Sequence, residues 1–301
     1  MKPYLILMRP ANIVTAIADI LLGFAVAMFV LGKADGFAWW EFARHSHGLW
    51  HLILATVGLY GGGVVLNDVF DYELDKKERP ERPLPSGQVS VTAAAVFGAA
   101  LLVFGVAAAS FVSVESGIIA FAVGALAVIY DYWGKHQDFL GPINMGMCRG
   151  GNLLLGVGVV AGAVASYWFL AFVPILFIAT ITMISRGEVH GGSPVALRAA
   201  VVMYLLVIGF IASLGFMSGF QLYSAMPFLL LFAYFVFPAL FKALQNPSQG
   251  PLIGKAVKAG VISLIIMDAA IAAGFCGWPY GLLVLALLPI SILLAKVFAV
   301  T

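Results

Sequence analysis

Apolar residues in this chain run in long blocks and do not alternate with polar ones. Windows of roughly twenty residues with few charges fall near 11–31, 50–69, 91–112, 117–133, 143–163, 167–184, 198–218, 225–243, 256–275 and 279–299. A half-buried strand would alternate, and a surface helix would carry polar residues every third or fourth position. Uninterrupted blocks of this length match the ~20 residues that an α-helix needs to cross a bilayer core about 30 Å thick. The pattern predicts an all-α, polytopic membrane bundle of nine to ten transmembrane helices. The two counts differ at the last pair of blocks. Only Gly277-Trp278-Pro279 separates them, which fits either a hairpin or one span plus a re-entrant piece. The first block carries Asp19 and is too long for a signal-peptide core, so it is predicted to stay as a helix. With no soluble segment and no long linker, residues 1–301 read as one membrane-embedded domain.

Composition agrees with lipid as the solvent. Charged residues are 10% and hydrophobic residues 62% of the 301, against about 25% and 45–50% in soluble domains. A cytosolic enzyme, a disordered chain and a nucleic-acid-binding module are excluded, the last because it needs a clustered basic face. Basic residues set the expected orientation. With the N-terminus inside, thirteen Lys and Arg fall in inside segments and two, Lys33 and Arg44, in outside loops. Both termini are therefore expected on the cytoplasmic side, which in a bacterial cell would be that of the inner membrane. The 33 glycines are read chiefly as points where helix backbones approach closely in lipid. Cys148 and Cys276 imply no disulfide framework.

Charge within such a chain is costly, so its placement carries information. Much of it lies in one run from Asn67 to Gly87, in which Asp68, Asp71 and Asp75 are spaced i, i+3, i+7. On a helix they share a face, where like charges repel unless a cation offsets them. Three carboxylates beside the Asn67 amide form a hard-oxygen site suited to Mg²⁺, which takes one or two carboxylates and completes its shell with water and phosphate oxygens. Arg79 and Arg82 follow within two turns, and guanidinium groups grip phosphate bidentately. Such a site suits a diphosphate with an apolar tail. A solvated loop that only sets topology accounts for Lys76, Lys77, Glu78 and Glu81, but not for aligned aspartates at a helix end.

The run resembles the first signature of the UbiA superfamily of intramembrane prenyltransferases, Asn-Asp-x-x-Asp-x-x-x-Asp followed by Arg-Pro-Leu-Pro-Ser-Gly. Here it is complete as Asn67-Asp68-x-x-Asp71-x-x-x-Asp75 and Arg82 to Gly87. The resemblance implies a helical bundle, commonly of nine spans, around a central cavity open sideways to lipid, and Mg²⁺ that draws the diphosphate from a polyprenyl donor. Arg9-Pro10-x-Asn12 is similar to the family's opening. Tyr130 and Lys135 match the tyrosine and lysine that close its fourth span, where the lysine is expected to contact diphosphate. Gly141, Asn144, Arg149-Gly150 and Asn152 resemble the polar face of its fifth span, and Arg149 is expected to contact ligand or to pair with a buried acid. The second signature, Asp-x-x-x-Asp, should fall in Ser185-Arg186-Gly187-Glu188-Val189-His190-Gly191-Gly192. Only Glu188 replaces its first aspartate, and Gly192 stands where the second would lie. This loop resembles the EboC-type branch of the superfamily.

The expected site therefore comprises Asp68, Asp71, Asp75 and Glu188 around Mg²⁺. Asn12, Asn67, Arg79, Arg82, Tyr130, Lys135, Arg149, Asn152 and Arg186 would hold substrate, and Glu188 or His190 would take a proton. The expected reaction is Mg²⁺-dependent transfer of a prenyl group from a polyprenyl diphosphate donor to an acceptor, an aromatic ring among the candidates, within membrane lipid. An isoprenoid-binding or transporter-like membrane protein is the alternative. Asp19 and Asp268 would line the cavity or pair with buried bases. His45, His47 and His51 lie at the opposite membrane face with Trp39, Trp40 and Trp50, as an interfacial aromatic belt would.

Overall fold

The computed structural model describes residues 2–32, 39–188 and 191–298, and among them every regular element is a helix. In chain order these are α1 (Lys2–Met8), α2 (Pro10–Val30), α3 (Trp39–Phe70), α4 (Tyr72–Glu78), α5 (Val91–Ser110), α6 (Val114–Tyr132) and α7 (Leu140–Val157). They continue as α8 (Ala163–Tyr167), α9 (Phe172–Ser185), α10 (Pro194–Ser213), α11 (Leu222–Gln245), α12 (Gly250–Cys276), α13 (Trp278–Leu285) and α14 (Leu287–Val297). Nine segments among the described residues are long and apolar enough to span a membrane, Trp278–Val297 included. Helix α7 is not one of them, because Asn144, Arg149 and Asn152 lower its hydropathy. It lies between α2, α6 and α9, and those three polar side chains are buried in protein and not in lipid.

Local chemistry sets the ends. Ser90, Ser113 and Ser193 cap α5, α6 and α10, each accepting a hydrogen bond from a backbone amide two or three residues on, which satisfies donors that the first turn leaves free. Arg9 breaks α1 from α2 in the left-handed region (φ 49°) just before Pro10. Gly277 (φ 81°) turns the chain from α12 into α13.

The last two helices run back along the first long one. The Tyr280 hydroxyl donates to the Leu21 carbonyl at 2.8 Å and the Ser291 hydroxyl to the Ala11 carbonyl at 3.0 Å. Residue number rises on one side and falls on the other, so α13–α14 is antiparallel to α2 and returns to the end where α2 begins. This resolves the final pair of predicted blocks as two crossings. Helices α2 and α12 are central, each with 83% of its most apolar window buried, whereas α5 shows 22% and faces outward. Close backbone contact fixes the frame: a Cβ on Gly23 would sit 2.4 Å from the Leu153 oxygen, and one on Gly58 would sit 2.7 Å from the Leu101 oxygen. These glycines bring α2 onto α7 and α3 onto α5, as small residues do where helices associate in lipid.

Candidate active site

The inward faces of three helices enclose a cavity of about 260 Å³. Helix α3 contributes Thr56, Tyr60, Gly63 and Asn67, three or four residues apart and so on one face. Helix α6 contributes Val123, Ala127, Tyr130 and Asp131, and α7 contributes Met145, Cys148, Arg149 and Asn152 at the same helical spacing. Arg9 closes the end at which α3 passes into α4.

At that end the aspartate run behaves as one helix with a slight break. The Asp71 amide bonds the Asn67 carbonyl (2.9 Å) and the Asp75 amide bonds the Asp71 carbonyl (2.8 Å), so the i→i−4 ladder carries through the junction and keeps the three acids aligned. Each acid meets a cation. Arg9 Nη2 donates to Asp68 Oδ1 at 2.7 Å; Arg82 Nη1 donates to the same oxygen at 3.3 Å and to Asp75 Oδ2 at 2.8 Å. Lys135 Nζ donates to Asp71 Oδ1. Asp68 and Asp75 are only 4% and 5% exposed, which rules out a solvated loop.

The segment that presents Arg82 is anchored by apolar burial. Leu84 and Val89 pack with Leu7 of α1, Val65 of α3 and Ala94 of α5 in a small cluster separate from the main core. Gly87 (φ 74°) turns the chain between them, and the Ser86 hydroxyl donates to the Arg82 carbonyl at 2.7 Å. Burying two aliphatic side chains is worth roughly 1.5–3 kcal/mol each, enough to hold the loop against the bundle.

The other predicted residues divide. Arg79 makes no side-chain hydrogen bond or ion pair among the described residues, and it is close enough to act electrostatically on Glu188. Burial pushes the Glu188 carboxyl above its ordinary range, with Arg79 opposing the shift. The second loop thus does reach the first motif, through Glu188; His190 lies outside the described residues. Tyr130 lines the cavity. Arg186 is at the rim, bound to Asp138 and, at 2.6 Å, to the Gln137 carbonyl. Asn12 is buried and hydrogen-bonds Tyr60, so it positions a wall residue and is not itself part of the wall.

Arg149 and Asn152 line the cavity, and Arg149 makes the pair with a buried acid that the sequence allowed as one of its roles. Arg149 Nη2 donates to Asp19 Oδ1 (3.2 Å) and to the Thr15 carbonyl (3.0 Å), and its Nε lies 3.0 Å from Asp19 Oδ2. Asn152 Nδ2 donates to Asp19 Oδ2 (2.9 Å) and to the Ala16 carbonyl (2.8 Å), and its oxygen accepts from Thr56 at 2.6 Å. Asp268, fully buried on α12, sits beside this network with neither oxygen hydrogen-bonded to a protein donor.

Two residues of the site lie outside the predicted set. Arg9 belongs to the quoted opening motif, and only its left-handed backbone turns it to Asp68. Asp131, 4% exposed, lines the cavity and accepts from Asn67 Nδ2 at 2.9 Å. This bond turns the Asn67 amide away from the aspartate run and toward α6. A carboxylate ending a membrane span was the available signal for Asp131.

Among the described residues no three His, Cys, Asp or Glu side chains are gathered into a ready metal cage. The predicted three-carboxylate cluster is aligned but neutralised pairwise by Arg9, Arg82 and Lys135. That donor set still fits Mg²⁺, which needs only one or two carboxylates when phosphate oxygens complete its shell, and the same cations are then free to turn to the phosphate.

The model of the UbiA prenyltransferase family matches residues 20–253. The chain belongs to that family. Its curated relatives include a digeranylgeranylglyceryl phosphate synthase of Methanococcoides burtonii, 36% identical over 163 residues, which cover 54% of this chain and 56% of that protein. The match thus spans little more than half of that relative's length. The synthase of the same name in Methanosphaera stadtmanae is 24% identical over 287 residues, 89% of this chain and 98% of that one. Among solved structures, a digeranylgeranylglyceryl phosphate synthase superposes with a TM-score of 0.66 at 20% identity, covering 91% and 98% of the two chains. A UbiA homologue of Archaeoglobus fulgidus, bound to DMAPP and Mg²⁺, gives 0.62 at 14% identity over 89% and 98%. At these identities the superpositions establish the fold, a UbiA-type helical bundle.

Proposed function

We propose that the chain transfers a prenyl group from an allylic polyprenyl diphosphate to an acceptor held in the membrane, with Mg²⁺ at Asp68, Asp71, Asp75 and Glu188. The observation that carries the proposal is the cap itself: buried acids, each matched to a cation, at the mouth of a largely apolar cavity between α3, α6 and α7. Family membership supports the reaction class, and a UbiA homologue binds DMAPP and Mg²⁺.

In this reading Arg9, Arg79, Arg82 and Lys135 hold the donor's phosphates. Arg79 is already free of side-chain partners among the described residues, and the other three exchange carboxylate for phosphate. The metal, when bound, supplies electrostatic stabilisation of charge on the departing diphosphate. Fixed cations at the same place add several kcal/mol of preorganised stabilisation. Tyr130 and the apolar walls keep water from the allylic carbon as the bond to oxygen breaks. The excess of basic residues on one side of the predicted topology supports a cap at the cytoplasmic face.

The test is to incubate purified protein with labelled geranylgeranyl diphosphate and Mg²⁺ in lipid nanodiscs made from a total membrane extract. Release of diphosphate with a prenylated product is the expected result. Tight donor binding with no release would replace the proposal with an isoprenoid-binding role.

A further inference from the structure

Asp131 has no task in the donor chemistry just described, yet among the described residues it is the one carboxylate in the cavity wall itself. It lies on the face of α6 that also carries Ala127 and Val123, one and two turns deeper. One oxygen is fixed by Asn67. Asn67 is next in sequence to Asp68, so the carboxylate stands beside the point where the donor's diphosphate meets the cavity. The charged and titratable groups that act on it are Lys135 after α6, Asp71 at the end of α3, Arg9 before α2, and its neighbours Tyr130 and Cys148. Among the described residues the cavity wall carries two cations: Arg9, bound to Asp68 and in the reading above given over to the donor's phosphates, and Arg149, bound to Asp19. An anionic acceptor entering the cavity would therefore meet a carboxylate and no uncommitted cation of the wall.

We propose that Asp131 is the acceptor-side group of the transfer: it orients an uncharged O–H or N–H nucleophile and takes its proton. This rests on the prenyl-transfer reading above and adds the acceptor class to it. In the step, the bond from the allylic carbon to the diphosphate oxygen breaks and its electron pair leaves with diphosphate. A lone pair of the acceptor oxygen or nitrogen forms the new bond to that carbon. The acceptor's proton passes to the carboxylate of Asp131 and from there to solvent. Asn67 positions Asp131 and touches neither reacting atom. A carboxylate so placed beside a donor site selects against acceptors that carry their own phosphate.

The experiment compares wild type with Asp131→Asn, which keeps size and a partner for Asn67, and with Asp131→Glu, which restores the charge. The probes are geranylgeranyl diphosphate with Mg²⁺, and as acceptors a prenylglycerol and its phosphate ester. Melting temperature in detergent is measured alongside. Wild type should prefer the neutral prenylglycerol by about tenfold or more. D131N should lose about 100-fold in transfer, while its donor KM and its slow hydrolytic release of diphosphate stay within about twofold. D131E should recover part of the transfer even if D131N melts lower. Unchanged transfer in D131N, parallel loss of hydrolytic release and donor binding, preference for the phosphate ester, or transfer to neither compound would each overturn the proposal. Failure of wild type to release diphosphate at all would instead sink the prenyl-transfer reading on which it rests.

Discussion

Two sets of arginine–aspartate pairs occupy this bundle, and they differ in what surrounds them. In the core, Asp19 is fully buried and receives Arg149 and Asn152, whose remaining contacts go to Thr15, Ala16 and Thr56. Three helices converge there, and the polar groups are spent on one another. At the cap, Asp68 and Asp75 share Arg82, Asp71 holds Lys135, and Arg79 has no side-chain partner among the described residues. The cap pairs sit at a cavity mouth, where an incoming phosphate can compete for the cations. The core pairs border the same cavity, but their donors are already taken up by Thr15, Ala16 and Asp19. The same two residue types therefore do structural work in one place and are available for ligand in the other, and local saturation separates the roles.

Four substitutions sharpen this contrast. The largest effect is expected for Asp68→Ala, which should lower Mg²⁺-dependent diphosphate release by about 10²-fold or more while melting temperature changes little; normal turnover would remove Asp68 from the reaction. Arg149→Met should do the reverse. It strands a buried carboxylate and should cost about 3–5 kcal/mol of stability, read as lost monodisperse protein and early thermal unfolding. If R149M is stable but inactive, the core network belongs to the ligand site. Arg79→Gln should leave stability unchanged and weaken donor binding by about tenfold, the size of one charge-assisted contact, measured by donor titration in detergent.

The smallest effect concerns Glu188. Burial raises its carboxyl above the ordinary 4.5, with Arg79 as the weaker opposing influence. The neutral form is the one the folded state favours, so the stability it contributes is complete below pH 4.5 and is lost as pH rises through the folded value. Glu188→Gln should therefore be slightly more stable than wild type at neutral pH and equal to it in acid. Thermal unfolding across pH, without Mg²⁺, tests this, and a destabilised variant at neutral pH would reverse the sign.

Much of this was legible before the fold was known, for reasons that can be named. The apolar blocks read directly as helices because lipid leaves few other ways to satisfy a backbone. Asp68, Asp71 and Asp75 were readable because their partnership is local, one face of one helix. Arg149 could not be assigned, since its partner lies 130 residues away on α2. Asp131 is less legible for a similar reason: a carboxylate beside Tyr130 at the end of a span marks it, but the partner that holds it, Asn67, lies 64 residues earlier. That α7, within the predicted block 143–163, falls short of a span's hydropathy has a related cause, because its polar residues answer to neighbouring helices and not to lipid.

The closing helices bear on how such a chain is made. Tyr280 and Ser291 bond carbonyls of α2 that precede them by 259 and 280 residues. Until the final hairpin inserts, those oxygens lack their native partners and the outer side of α2 is unscreened. Closure of the bundle thereby waits on α13 and α14, and a chain cut before them carries every acid of the cap on a scaffold that has not yet closed.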